Sequence, residues 1–171
     1  MNYTHKDSDM WRWYLAWPSD SQEIEDLIMT QYQHEANTIF PIHAPKMRME
    51  AEIDMIKQRH NLGAAQVIVA KHNDTNKIMA WAWIQRGHYT PYSNSEYADA
   101  KMLHIDLNLP VKTRIVLTHQ ILENWMLWCQ LNYIPTLVST SMREDWKTFM
   151  KIHERLGFIV RGTIAWKRIE L

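Results

Sequence analysis

The chain has 171 residues, 46% of them hydrophobic and 22% charged, which suffices for one compact domain with a full core. Its 19 basic and 19 acidic residues cancel when histidine is counted as neutral, which excludes a general electrostatic attraction to nucleic acid or to an anionic membrane. No stretch approaches the roughly 20 apolar residues of a membrane span, and the single cysteine, Cys129, cannot close an internal disulfide.

The opening residues MNYTHKDSDMWRW hold no apolar signal core. A single domain over residues 1–171 in a reducing compartment, the cytoplasm, is therefore expected.

In chain order, Trp11 to Trp17 alternates aromatic with other residues as a strand does, and Pro18, Ser19 and Asp20 stop it. Ser19 or Asp20 then caps a helix bearing Ile24, Leu27, Ile28 and Tyr32. Pro41 and Pro45 precede a second helix, whose expected apolar face is Met47, Ala51, Ile53, Met55 and Ile56 and which ends near Asn61 to Gly63. Val67 to Lys71 and Ile78 to Ile84 flank the turn-rich run HNDTN and predict a hairpin.

Gly87 to Ala100 has no clear period and carries three tyrosines, so it reads as a long loop over one face of the sheet. After it come a strand over Met102 to Leu107, a long helix over Val111 to Gln130 and a strand over Thr136 to Thr140. A helix over Glu144 to Leu156 and one or two closing strands over Phe158 to Ile169 complete the chain. The result is a mixed α/β domain of order β-α-α-β-β-β-α-β-α-β. Gly157, between a helical pattern and a strand-like one, reads as a left-handed C-terminal cap.

Several conspicuous residues have structural explanations. Trp81 and Trp83 share one strand face, Trp125 and Trp128 one helix stripe, and Trp146 continues a stripe with Phe149 and Leu156; all five are expected in the core. Cys129 is expected as a small buried hydrophobe. The scattered histidines make no zinc spacing, so no metal is expected, and Ser139 and Ser141 belong to no Gly-x-Ser-x-Gly motif.

The element order, the terminal HERLGFIVRG and the opening YLAWPSDSQEIEDLI resemble the GCN5-related N-acetyltransferase (GNAT) superfamily. The resemblance implies an acyl-CoA N-acyltransferase fold, with a central, mostly antiparallel sheet flanked by helices, and acetyl-CoA as cofactor. In that family the pyrophosphate rests on backbone N–H groups at the start of the central helix, through a run Arg/Gln-x-x-Gly-x-Gly/Ala. The matching stretch here, LPVKTRIVLTHQIL, puts Thr113 at the Arg/Gln position and Val116 and Thr118 at the two glycines, with Lys112 and Arg114 as cations beside them. A β-branched valine disfavours positive φ and adds bulk. The cleft is accordingly expected to be partly filled by Val116 and Trp146.

By the same resemblance His153, four residues before Gly157, stands where the family's tyrosine protonates the leaving thiolate, and Trp146 stands where the family has an asparagine. His104 and Asp106 alternate on MLHIDL beside the place where this fold opens its sheet, which makes them the candidate general base.

Two readings follow. One is acetyl-CoA-dependent N-acyl transfer to a small amine or to a protein N-terminus or lysine. The other keeps the fold without catalysis, as a structural or adaptor subunit binding protein partners or further copies of itself. A phage virion, or the host cytoplasm where it assembles, would be one setting for that second role.

Overall fold

The computed structural model describes residues 10–35, 43–141 and 146–161. Strand β1 (Trp11–Leu15) leads through a short 3-10 turn (Pro18–Asp20) into helices α1 (Ser21–Glu35) and α2 (Ala44–His60). Strands β2 (Ala65–His72), β3 (Ile78–His88) and β4 (Tyr97–Ile105) follow, then α3 (Val111–Leu131), β5 (Thr136–Ser139) and α4 (Trp146–Arg155). The sheet order is β1-β2-β3-β4-β5. Its first three pairings are antiparallel and the β4–β5 pairing is parallel. A parallel step needs a crossover, and α3 supplies it.

Strict alternation on β3 divides the core in two. Ala80, Ala82 and Ile84 face one side and pack with Leu117, Ile121, Leu122 and Trp125 of α3. Trp81 and Trp83 face the other and pack with Ile24 and Ile28 of α1 and Ala51 and Met55 of α2. Small residues let the long helix approach the sheet closely, while the two indoles fill the wider space under the helix pair. The expected core positions of Trp81, Trp83, Trp125, Trp128 and Cys129 are all found buried.

The buried face of α2 differs from the apolar one expected. Ile53 and Ile56 are exposed, while Asp54 and Gln58 are buried beside Ala51 and Met55. The cause is a set of main-chain and indole groups that need partners away from water. The Gln58 amide donates to the carbonyls of Ala16 (3.0 Å) and Val67 (3.2 Å) and accepts from Val67 N (2.8 Å). Asp54 Oδ2 accepts from Trp83 Nε1 at 2.8 Å and from Gln85, and its Oδ1 accepts from Lys57 Nζ at 3.0 Å.

The long loop expected over Gly87 to Ala100 contracts to residues 89–96, because β3 runs to His88 and β4 starts at Tyr97. Ala98 and Ala100 alternate inward with Tyr97 and Asp99, a strand pattern hidden by its neighbours. Arg86 closes the shortened loop with two hydrogen bonds to the Glu96 carboxylate, at 2.7 and 2.6 Å. At the other end β4 stops at Ile105, two residues short of the expected Leu107. Phe158 to Arg161 form no regular strand, and the rest of the expected closing strand lies outside the described residues. Among the described residues no helix is long and apolar enough to cross a membrane, and no cluster of His, Cys, Asp or Glu could hold a metal ion.

Candidate active site

The sheet parts where β4 leaves β5. Their last pair is Ala100 with Ser139, yet β4 continues from Lys101 to Ile105. On its other edge, Met102 pairs with Trp83 and Ala100 with Ile84, so Lys101 is an extra residue in β4. Such a bulge bends its strand and increases the local twist. The bend falls at the last β5 contact, and among the described residues the main chain of β4 beyond it has no β5 partner. Because β4 and β5 run parallel, the wedge opens at their C-terminal ends, where open α/β sheets place their ligands.

Helix α3 begins at that same end. Asp106 Oδ1 accepts from Asn108 N (2.9 Å) and Asn108 Nδ2 (3.0 Å), turning the chain out of β4. Pro110 then caps α3 without a side-chain hydrogen bond, and the first helical bond runs from Arg114 N to Pro110 O at 3.0 Å. The N–H groups of Val111, Lys112 and Thr113 therefore have no intrahelical acceptor. The first turn contains no acidic residue, Lys112 is exposed, and Arg114 Nε is buried with no hydrogen-bond partner among the described residues. A helix start with free amides and two cations suits a phosphate.

Val116 and Thr118 differ from expectation. Both lie inside α3, where N–H groups bond to the carbonyl four residues back, so no positive φ and no glycine is needed at either position. The Thr118 hydroxyl donates to Arg114 O at 2.9 Å, and Val116 is 38% exposed. The free amides lie at residues 111–113, one turn before the positions aligned with the two glycines. Trp146, expected in the core, is 43% exposed at the start of α4. Neither side chain fills the interior.

His104 and Asp106 take different environments. His104 is buried on the α1–α2 side of the sheet, stacked on Trp81 with ring centroids 5.9 Å apart and planes 8° apart. Trp81 Nε1 donates to His104 Nδ1 at 3.2 Å. That bond engages the Nδ1 lone pair. Asp106 lies one residue past β4, with Oδ1 engaged in the turn into α3.

His153 lies on the opposite face of the sheet and is almost fully buried. Gly157, at φ +86°, completes a Schellman turn in which Phe158 N reaches His153 O (3.1 Å) and Gly157 N reaches Glu154 O (3.0 Å). The turn folds Phe158 back onto the imidazole, which sits between Phe149 and Phe158 at centroid distances of 4.5 and 5.0 Å. His153 Nδ1 lies 3.1 Å from Phe149 O, and Nε2 lies 3.0 Å from Ser139 Oγ. A carbonyl can only accept, so Nδ1 carries the proton and Nε2 offers a lone pair to the Ser139 hydroxyl. Burial, opposed by the bond to Phe149, holds the ring's pKa below the ordinary 6.5, which keeps it neutral at physiological pH.

Ser139 and Lys101 are the site residues that sequence reasoning missed. Ser139 belongs to no motif and reaches His153 only through the fold. A pairing scheme for β3 and β4 could have exposed the extra residue at Lys101. Cys129 offers no alternative nucleophile, since burial raises its thiol pKa to about 11.

No family profile and no curated protein matches the sequence. Solved structures do match. A glucosamine-6-phosphate N-acetyltransferase from Arabidopsis thaliana superposes with a TM-score of 0.65 at 13% identity, over 94% of this chain and 99% of that one. A ribosomal-protein-alanine N-acetyltransferase from Brucella melitensis gives 0.63 at 11% identity, over 94% and 99%. An aminoglycoside acetyltransferase, AAC(6')-Iy, solved with a CoA-containing bisubstrate analogue, gives 0.63 at 12% identity over the same shares. The fold is that of the GNAT acetyltransferases. At these identities the likeness carries the architecture, a mixed sheet opened between β4 and β5 and flanked by helices.

Proposed function

We propose that the protein transfers an acetyl group from acetyl-CoA to a primary amine. The observation that carries this reading is the wedge at the Lys101 bulge, opening at the sheet end where α3 presents free amides, Lys112 and Arg114. The N–H groups of Val111 to Thr113 and the two cations would hold the diphosphate. Arg114 Nε, buried without a partner among the described residues, gives a physical reason for an anion there. Acetyl-CoA, when bound, supplies an activated acyl group as a thioester.

The residues of this chain divide the remaining work by sheet face. Main-chain N–H groups of β4 beyond Lys101 polarise the acyl carbonyl. His104 and Asp106 stand beside the wedge, and Asp106, at the turn from β4 into α3, takes the amine proton, directly or through water. On the other side, His153 acts through the Ser139 hydroxyl, because its own ring is shielded. The acceptor is a small amine or a protein N-terminus or lysine; glucosamine-6-phosphate and a ribosomal-protein alanine are the acceptors named for two of the similar structures.

The non-catalytic reading rests on bulk at the two glycine positions and on large aromatics and methionines that could supply contact surface. Val116 and Trp146 are both more than a third exposed, which weighs against the first of these grounds. Release of free thiol from acetyl-CoA in the presence of a panel of primary amines and a peptide with a free N-terminus tests the proposal. Amine-dependent release that falls in K112A/R114A is expected. No release with any acceptor would contradict it.

A further inference from the structure

Helix α2 carries more apolar residues than its packing uses. Ala51, Asp54, Met55 and Gln58 are its buried side, turned to β2 and α1. Met49, Ile53 and Ile56 lie on the other side and are 55%, 44% and 49% exposed. With His60 they recur at steps of four, three and four, which is the seam of a two-helix pair. Such a row of exposed apolar side chains marks an interaction surface.

The charges beside the row say what covers it. Glu50 and Glu52 flank its first half, and Lys57 and Arg59 flank its second. Two copies of α2 laid antiparallel bring Ile53 of each against Ile56 of the other, and Met49 against His60. Glu50 then meets Lys57 across one side of the seam, and Glu52 meets Arg59 across the other. Parallel helices would meet only through Glu52 and Lys57 and would set like ends of the helix dipoles together. The acidic-then-basic order thus makes the surface complementary to itself on reversal, which is the condition for a closed two-fold dimer.

We propose that the exposed face of α2 binds the same face of a second copy of this chain, antiparallel, about a two-fold axis. The charged groups are already placed for it. Glu50 meets Lys46 of its own helix at 3.8 Å with both side chains more than half exposed, a contact of little worth in water. Glu52 is held at the edge of the row by Ser21 and Arg48, both through Oε1. Lys57 lies on Asp54 with its side chain 56% exposed. The Arg59 guanidinium lies over the exposed Trp17 ring, which fixes its position and widens the apolar patch. A helix of 17 residues spans roughly 25 Å, so one helix pair makes a contact at the small end of protein interfaces, and the dimer is reversible. The pairing does not depend on acetyl transfer.

Sedimentation velocity of the full chain from micromolar to millimolar concentration tests it. The wild type should pass from monomer to dimer, and the dimer should weaken with rising salt. I53E should stay monomeric with an unchanged urea midpoint, since Ile53 is exposed in the single chain. E50K and K57E alone should each weaken association about tenfold or more, and their equimolar mixture should recover it, because each reversed charge then faces its opposite. K57E sets a carboxylate beside Asp54; if it folds poorly, E52K mixed with R59E gives the same readout. A chain that stays monomeric at millimolar concentration would overturn the pairing and leave the row to a different protein. A dimer unchanged in I53E would overturn the interface, and one lost in I53E but untouched by E50K would overturn the antiparallel arrangement.

Discussion

Phe158 packs edge-on against His153, with ring centroids 5.0 Å apart and planes inclined by 78°. The contact depends on Gly157, whose φ of +86° lets the chain reverse after α4. A Cβ at that position would meet no atom within 4 Å, so the strain of an L-residue there is purely conformational. Gly157→Ala should cost about 1 to 2 kcal/mol in urea unfolding and should also lower activity, because Phe158 then loses its hold on the imidazole. Equal stability in G157A would show that the turn does not set the ring.

The buried His153 makes pH a direct probe. Its folded pKa lies below the ordinary 6.5, while the unfolded chain titrates near that value. Below about 6.5 the unfolded state binds more protons than the folded one, so stability falls with falling pH until the folded pKa is passed. Above about 6.5 this contribution is constant. Unfolding free energies across pH 4.5 to 8, for wild type and H153Q, check this, and H153Q should lose the dependence.

Asp54 is a buried carboxylate with donors from Trp83, Gln85 and Lys57. Asp54→Ala would leave the Trp83 indole N–H without an acceptor and should destabilise the fold by about 3 kcal/mol. Asp54→Asn keeps an acceptor oxygen and should cost less. Chemical denaturation of the two variants gives the comparison.

The start of α3 gives a prediction that separates two pictures of the cleft. If the diphosphate is held by the first turn, Val116→Gly should not tighten acetyl-CoA binding, because the N–H at that position is already bonded within the helix. It should instead cost the helix about 0.5 kcal/mol, the difference between glycine and valine in helix propensity. Lys112→Ala and Arg114→Ala should each weaken binding about tenfold or more, the loss expected for a charge-assisted hydrogen bond. A gain in affinity in V116G would restore the picture in which valine blocks the phosphates.

Much of the fold was legible because it rests on periodicity. The bounds of α3, the Trp81/Trp83 alternation and the Gly157 cap all follow from local spacing. The sheet positions of Ala98 and Ala100 were obscured by tyrosines, serines and asparagines that resemble loop composition. The polar face of α2 was not legible, since Asp54 and Gln58 are buried only to meet N–H and C=O groups that the sheet and Trp83 bring to them. The site divides in the same way. Lys112 and Arg114 stand beside a helix start that could be read from Pro110 onward. Ser139 meets His153 across 14 residues, through a strand and a helix whose packing no spacing rule encodes. Trp146 extended an apolar stripe on paper and lies 43% exposed, because α4 buries the side carrying His153.

The central claim is that acetyl-CoA binds in the β4–β5 wedge with its diphosphate on the first turn of α3. Isothermal titration of acetyl-CoA into the purified chain tests it most directly. The account predicts micromolar binding that weakens strongly in K112A/R114A and with rising salt. No heat at millimolar ligand, or binding unchanged in the double variant, would contradict it.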